Sequence, residues 1–77
     1  MEASSIIRPS RDRLRRARIE AGLTQEELAT RTKISLAAIG KYERGERSPR
    51  GPNLRRIAEE TNKPVAWFFE QPEEAAA

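Results

Sequence analysis

Leu36, Ala37, Gly40, Lys41 and Arg44 fall within half a turn of one another when this stretch is wound at about 100° per residue, and Ser35, Ala38, Ile39 and Tyr42 fall on the other side. The second set is an ordinary core stripe. The first is an odd face to show to water, with little bulk, one leucine and two cations where Glu and Gln are usual. It suits a surface laid into the major groove of a nucleic-acid duplex. Small residues allow close approach, aliphatic atoms meet thymine methyls, and Lys or Arg reaches guanine and phosphate. Gly40 costs about 1 kcal/mol relative to alanine inside a helix, and its missing side chain would let the backbone approach DNA. The competing reading is that Gly40 and Leu36 pack against another part of the protein.

Other chemistries lack their residues. The 77 residues include no cysteine and no histidine, which excludes disulfides, thiolate nucleophiles, imidazole bases and the usual zinc sites. Ser35, Tyr42 and the carboxylates form no recognisable nucleophile–base pair, and so short a chain has little room for a deep pocket. The expectation is a protein that is not an enzyme and that carries neither cofactor nor metal.

The elements that must position the unusual face are short helices. Ser10 is placed to cap a first helix over about 11–21, in which Leu14, Ala17, Arg18 and Ala21 recur at i, i+3, i+4 and i+7 before Gly22 stops it. Thr24-Gln25-Glu26-Glu27 has the form of a capping box. It opens a second helix over about 25–32 that buries Leu28 and Ala29. After a turn through Thr32, Lys33 and Ile34, Ser35 caps a third helix over about 36–43, which Gly45 ends. The loop Arg44–Pro52 contains two glycines and two prolines. A fourth helix over about 52–61 turns Leu54, Ile57 and Ala58 inward and finishes near Asn62. Pro64 suits the first turn of a fifth helix over about 64–69, where Val65, Phe68 and Phe69 should close the core and Trp67 falls off the stripe. Residues 1–10 read as a flexible arm and 70–77 as a disordered acidic, alanine-rich tail, leaving 11–69 as the domain. There is no strand pattern and no internal repeat. The predicted fold is all-α, a compact five-helix bundle.

Charge is unevenly spread. Residues 1–58 carry 14 Lys or Arg against 7 Asp or Glu, whereas residues 59–77 carry 1 against 5. A basic body with an acidic end fits a polyanionic partner, and a solvated mixed-charge surface fits equally well on composition alone. Twelve of the 15 cations are arginine, the side chain suited to bidentate contact with phosphate and guanine. A GC-rich genome would produce the same bias. No apolar run is long enough to span a membrane or to serve as a secretory signal, so a cytoplasmic location is expected and no membrane partner.

Helices two and three with the turn between them make a helix-turn-helix unit. The run GLTQEELATRTKISLAAIGKYERG over 22–45, with Ser48-Pro49, LRRIAEET over 54–61 and PVAWFF over 64–69, resembles the DNA-binding domain of Cro/CI-type (XRE) repressors. The likeness covers about 12–69 and implies a lambda-repressor-like fold and double-stranded DNA as partner. It implies that Ser35, Leu36, Ala37 and Lys41 read bases. Gln25, with Thr24 assisting, and the loop cations Arg44, Arg47 and Arg50 would hold phosphates. Thr24 is equally explained by capping, and the loop arginines by plain surface charge. Ala29 matches a position where only a small residue lets the second and third helices cross closely. Arg18 and Glu43 match a partly buried ion pair that ties the first helix to the third; two separately solvated side chains are the alternative.

Two departures are visible. Lys33 stands where the family usually has glycine, and Leu36 and Ala37 stand where many relatives have polar groups. Fewer hydrogen bonds to bases follow, so specificity would lean on Lys41, methyl contacts, water and DNA shape.

The resemblance also implies use as a dimer, since helix-turn-helix pairs read half-sites about one helical turn apart. Ala66 and Trp67 are the candidate self-contact, with Trp67 packed across the fourth helix as the other reading. With no second domain in these 77 residues, self-association off DNA is expected to be weak. The function so implied is a repressor on a palindromic operator. Two alternatives stay open: a DNA-binding antitoxin paired with a toxin protein, and a protein-interaction module of the same fold. An anti-repressor is a further protein partner consistent with the first reading.

Overall fold

In a computed structural model of the chain, residues 8–69 are described. Four α-helices run in order: α1 (Arg11–Glu20), α2 (Gln25–Thr32), α3 (Leu36–Arg44) and α4 (Gly51–Thr61). A 3-10 helix, Val65–Phe69, follows them. The described residues form no strand. The expected fifth helix is thus a 3-10 segment, and the described residues form four α-helices rather than five. The proposed arm and tail lie outside the described residues except for 8–10.

The ends of the helices are set by local chemistry. The Ser10 hydroxyl accepts from the Arg13 amide. Thr24 and Glu27 form the reciprocal capping box, and Ser35 accepts from the Ala38 amide. Each cap satisfies a donor that the helix itself leaves orphaned. Lys33 (φ 62°) ends α2 and Asn62 (φ 60°) ends α4, both in the left-handed region. Gly45 ends α3 at φ 79°, and a Cβ there would come within 2.9 Å of the Arg11 side chain.

α1 packs on α3 and α4, α2 packs on α3 and α4, and the 3-10 helix closes against α1 and α4. Leu14, Leu28, Ile39, Leu54, Ile57 and Phe68 dominate the interior, with Phe68 fully enclosed. Two threonines are also buried, and both satisfy themselves. Thr32 Oγ1 donates to the Leu28 carbonyl at 2.7 Å and Thr61 Oγ1 to the Ile57 carbonyl at 2.6 Å. The amide of Ser10 donates to the Phe68 carbonyl at 2.8 Å, joining the two ends of the domain.

Val65 departs from expectation, being 40% exposed. A stripe at i, i+3 and i+4 belongs to α geometry. In a 3-10 helix i and i+3 eclipse while i+4 lies about 120° off, so Phe69 turns away from Phe68 and only packs against the core's edge. Val65 is on Phe68's side but one turn earlier, at the start of the segment between the exposed Pro64 and Ala66.

Candidate nucleic-acid interface

Leu36 is 44% exposed, and Ser35, Ala37 and Lys41 are exposed beside it at the start and along the outer side of α3. None of the described residues covers this face. Gly40 differs. It is buried, and a Cβ there would meet the Arg44 guanidinium at 3.0 Å. The Arg44 side chain lies back along α3 over the glycine, so in the free protein Gly40 offers no bare backbone.

Arg44, Arg47 and Arg50 are all exposed on the segment that leaves α3. Arg44 is paired, its Nε donating to Glu46 at 2.8 Å and its Nη2 at 3.2 Å. The hydrogen bond from Arg44 holds the Glu46 carboxyl below the usual glutamate range, and the same bond raises Arg44. A phosphate approaching Arg44 has to compete with Glu46. Arg47 has no such partner among the described residues.

The face is anchored from behind. Arg18 Nε donates to Glu43 Oε2 at 2.7 Å and Arg18 Nη2 to Glu43 Oε1 at 3.0 Å, a bidentate pair with side chains only 13% and 6% exposed. The remaining Arg18 terminal nitrogen donates to the Leu23 carbonyl at 2.9 Å. Gln25 Nε2 donates to Glu43 Oε1 at 3.1 Å. One cluster thus ties α1, the loop after it and the first residue of α2 to α3. The desolvation of both ions is offset by geometry and by extra hydrogen bonds. The Gln25 link was not visible in the sequence, because residues 18 apart carry no local signal. Gln25 is half-buried and keeps one amide hydrogen for an external partner, while Thr24 beside it is exposed and occupied as a cap.

At the far side, Ala66 is exposed and Trp67 half-buried. The guanidinium of Arg13 lies 4.5 Å and the ammonium of Lys63 4.6 Å from the Trp67 ring centroid. Trp67 also meets Phe68 edge to face. The ring is thus largely held within its own chain. Among the described residues, no group of three His, Cys, Asp or Glu side chains is placed to hold a metal ion, and no helix is long and apolar enough to cross a membrane.

A family model described as helix-turn-helix matches residues 14–68. An uncharacterised HTH-type transcriptional regulator of Sinorhizobium medicae is 39% identical over 61 residues, which is 79% of this chain and 42% of that protein. A similarly named protein of Rhizobium meliloti matches with the same identity and coverage. The chain thus spans about two fifths of the length of these curated relatives. No solved structure matches it. From the length of the family match and the agreement of the helix-turn-helix geometry with it, this chain belongs to the Cro/CI-type (XRE) helix-turn-helix family.

Proposed function

We propose that the chain is the sequence-specific, double-stranded-DNA-binding part of a transcriptional regulator, a repressor that acts in the cytoplasm as a dimer on a palindromic operator. The observation that carries this reading is the uncovered outer side of α3. It presents Leu36, Ala37 and Lys41 on a helix that the Arg18–Glu43–Gln25 cluster holds at a set orientation. Lys41 offers three donors to guanine, and Leu36 and Ala37 offer apolar atoms to thymine methyls. Ser35 keeps its hydroxyl hydrogen for a base or a water, because its oxygen is occupied as the cap.

Phosphates would be held on both sides of that helix. At one end are the first turn of α2 with Thr24 and the free amide hydrogen of Gln25, where the helix dipole favours an anion. At the other are Arg44, Arg47 and Arg50. The ion pair acts on DNA only through the placement of α3. Ala66, with the accessible part of Trp67, would supply the contact between two copies.

The test is selection of bound duplexes from a random pool, read by sequencing. A palindromic consensus with half-sites about one helical turn apart is the expected result. Recovery of no enriched sequence, together with affinity that does not change with salt, would mean an interaction module instead. Copurification of a small toxic partner would support the antitoxin reading.

A further inference from the structure

A second basic feature lies next to the proposed interface and is built from the other end of the domain. A concavity of about 280 Å³ lies between the residues before α1 and the loop after α3, lined by Arg8, Arg11 and Arg47 with Tyr42 and Ser48, and by no acidic residue among the described ones. Its parts are held in place. Arg8 Nε donates to Ser48 Oγ at 3.1 Å, and Arg11 Nη1 donates to the Arg44 carbonyl at 2.9 Å. The absence of a side chain at Gly45 gives Arg11 the room to lie there. The last turn of α3 would ordinarily repel an anion through its free carbonyls. Here Gly45 and Glu46 amides and Arg11 cover the carbonyls of Lys41, Tyr42 and Arg44.

The donors in this concavity exceed its acceptors. The Tyr42 hydroxyl accepts from Asn53 Nδ2 at 3.0 Å, so its own hydrogen is unspent among the described residues. The same holds for the Ser48 hydroxyl, which accepts from Arg8. Arg47 brings a full guanidinium. Three cations and the Ser48 hydroxyl donor around one hollow, with Tyr42 in its wall, match a tetrahedral oxyanion.

We propose that this concavity seats a DNA-backbone phosphate, so that Arg8 and Arg11, ahead of the helix-turn-helix unit, belong to the duplex footprint. The proposal rests on the duplex-binding reading above. It commits to the backbone because the loop carrying Arg47 and Ser48 continues directly from α3 and is flanked by the exposed Arg44 and Arg50. A strand gripped by that loop passes the hollow.

The experiment compares wild type, Arg8→Gln and Arg15→Gln for binding to a short random-sequence duplex across a salt series. Arg15 is exposed on α1 and does not line the concavity, so it controls for the loss of one charge. The expected result is that Arg8→Gln lowers the slope of log affinity against log salt by about 1, while Arg15→Gln leaves it unchanged. Equal slopes for Arg8→Gln and wild type, with wild type bound, would overturn the seat and leave the duplex reading standing. No binding by wild type at low salt would sink both. Inorganic phosphate is titrated separately, followed by NMR shifts of Ser48 and Tyr42. Saturation that is lost in Arg8→Gln, with an unchanged duplex slope, would reassign the hollow to free phosphate and overturn the backbone proposal.

Discussion

Glu43 receives three hydrogen bonds, two from Arg18 and one from Gln25, on a side chain almost wholly withdrawn from water. Removing Arg18 would strand that carboxylate. Breaking a buried pair by deleting one partner costs about 3–5 kcal/mol, whereas replacing both by apolar groups is often near neutral. We predict that Arg18→Ala lowers stability by about 3 kcal/mol and that Arg18→Met with Glu43→Leu recovers most of it, read from urea midpoints at constant m-value. A single variant as stable as wild type would show a solvated pair. The double variant should still lose DNA affinity, since stability can be restored without restoring the angle at which α3 is presented. Lys41 differs because it touches nothing that the fold needs. Lys41→Ala should leave the urea midpoint unchanged, weaken the selected duplex by about 1–3 kcal/mol and relax sequence preference at one base pair. A uniform loss on every duplex would make Lys41 a phosphate contact.

At the scale of elements, the turn between α2 and α3 contains a visible compromise. Lys33 sits at φ 62°, where an L residue costs about 1–2 kcal/mol. Glycine relieves that strain but adds flexibility to the unfolded chain worth about 0.5–1 kcal/mol. The balance predicts that Lys33→Gly stabilises the domain by roughly 0.5–1 kcal/mol, a rise of a few degrees in Tm. Calorimetry showing an unchanged or lower Tm would mean that the lysine side chain contributes something the turn geometry does not reveal. The helix boundaries were legible in the sequence because their causes are local. Ser10, Thr24 with Glu27, and Ser35 each act within four residues, as do the stops at Gly22 and Gly45. What was not legible lies in side-chain placement, in the winding of one short segment and in contacts between distant residues. Gly40 looked like bare backbone until Arg44 was seen lying across it. Val65, Phe68 and Phe69 looked like one buried stripe because their spacing fits an α-helix, and the segment winds as 3-10, which turns Phe69 about 120° away from Val65. The Gln25–Glu43 bond and the approach of Arg8 to Ser48 join residues 18 and 40 apart, a separation at which local spacing carries no signal. The Arg18–Glu43 pair, 25 apart, was legible only through the family resemblance.

Across the whole molecule, the closure of the bundle passes through an exposed group of charges around the protein's single tryptophan. Lys63 Nζ donates to Glu20 Oε1 at 2.8 Å while also lying over the Trp67 ring. Arg16 reaches the other Glu20 oxygen at 3.0 Å. Glu20 thereby links the end of α1 to the segment that leads into the 3-10 helix. Hydrogen bonds from Lys63, and then from Arg16, hold its carboxyl below the ordinary glutamate value of 4.5. A carboxyl lowered in the folded state binds its proton more readily when unfolded. Its stabilisation is therefore complete above the ordinary value and is lost as pH falls through the lower, folded one. Because the group is exposed and screened, the contribution is a small one, and a direct optical probe is needed to see it. Trp67 provides that probe. On acidification from pH 6 towards 3, wild-type Tm should fall and Trp67 fluorescence should change as Lys63 loses its anionic partner. Glu20→Gln should begin with a slightly lower Tm at pH 6 and show a flatter acid limb, with the Trp67 change reduced. Parallel Tm–pH curves for the two proteins would place the acid sensitivity elsewhere, with Glu46 on Arg44 as the next carboxylate to replace. Raising the salt should bring the two curves together, since both partners of Glu20 are within reach of solvent ions.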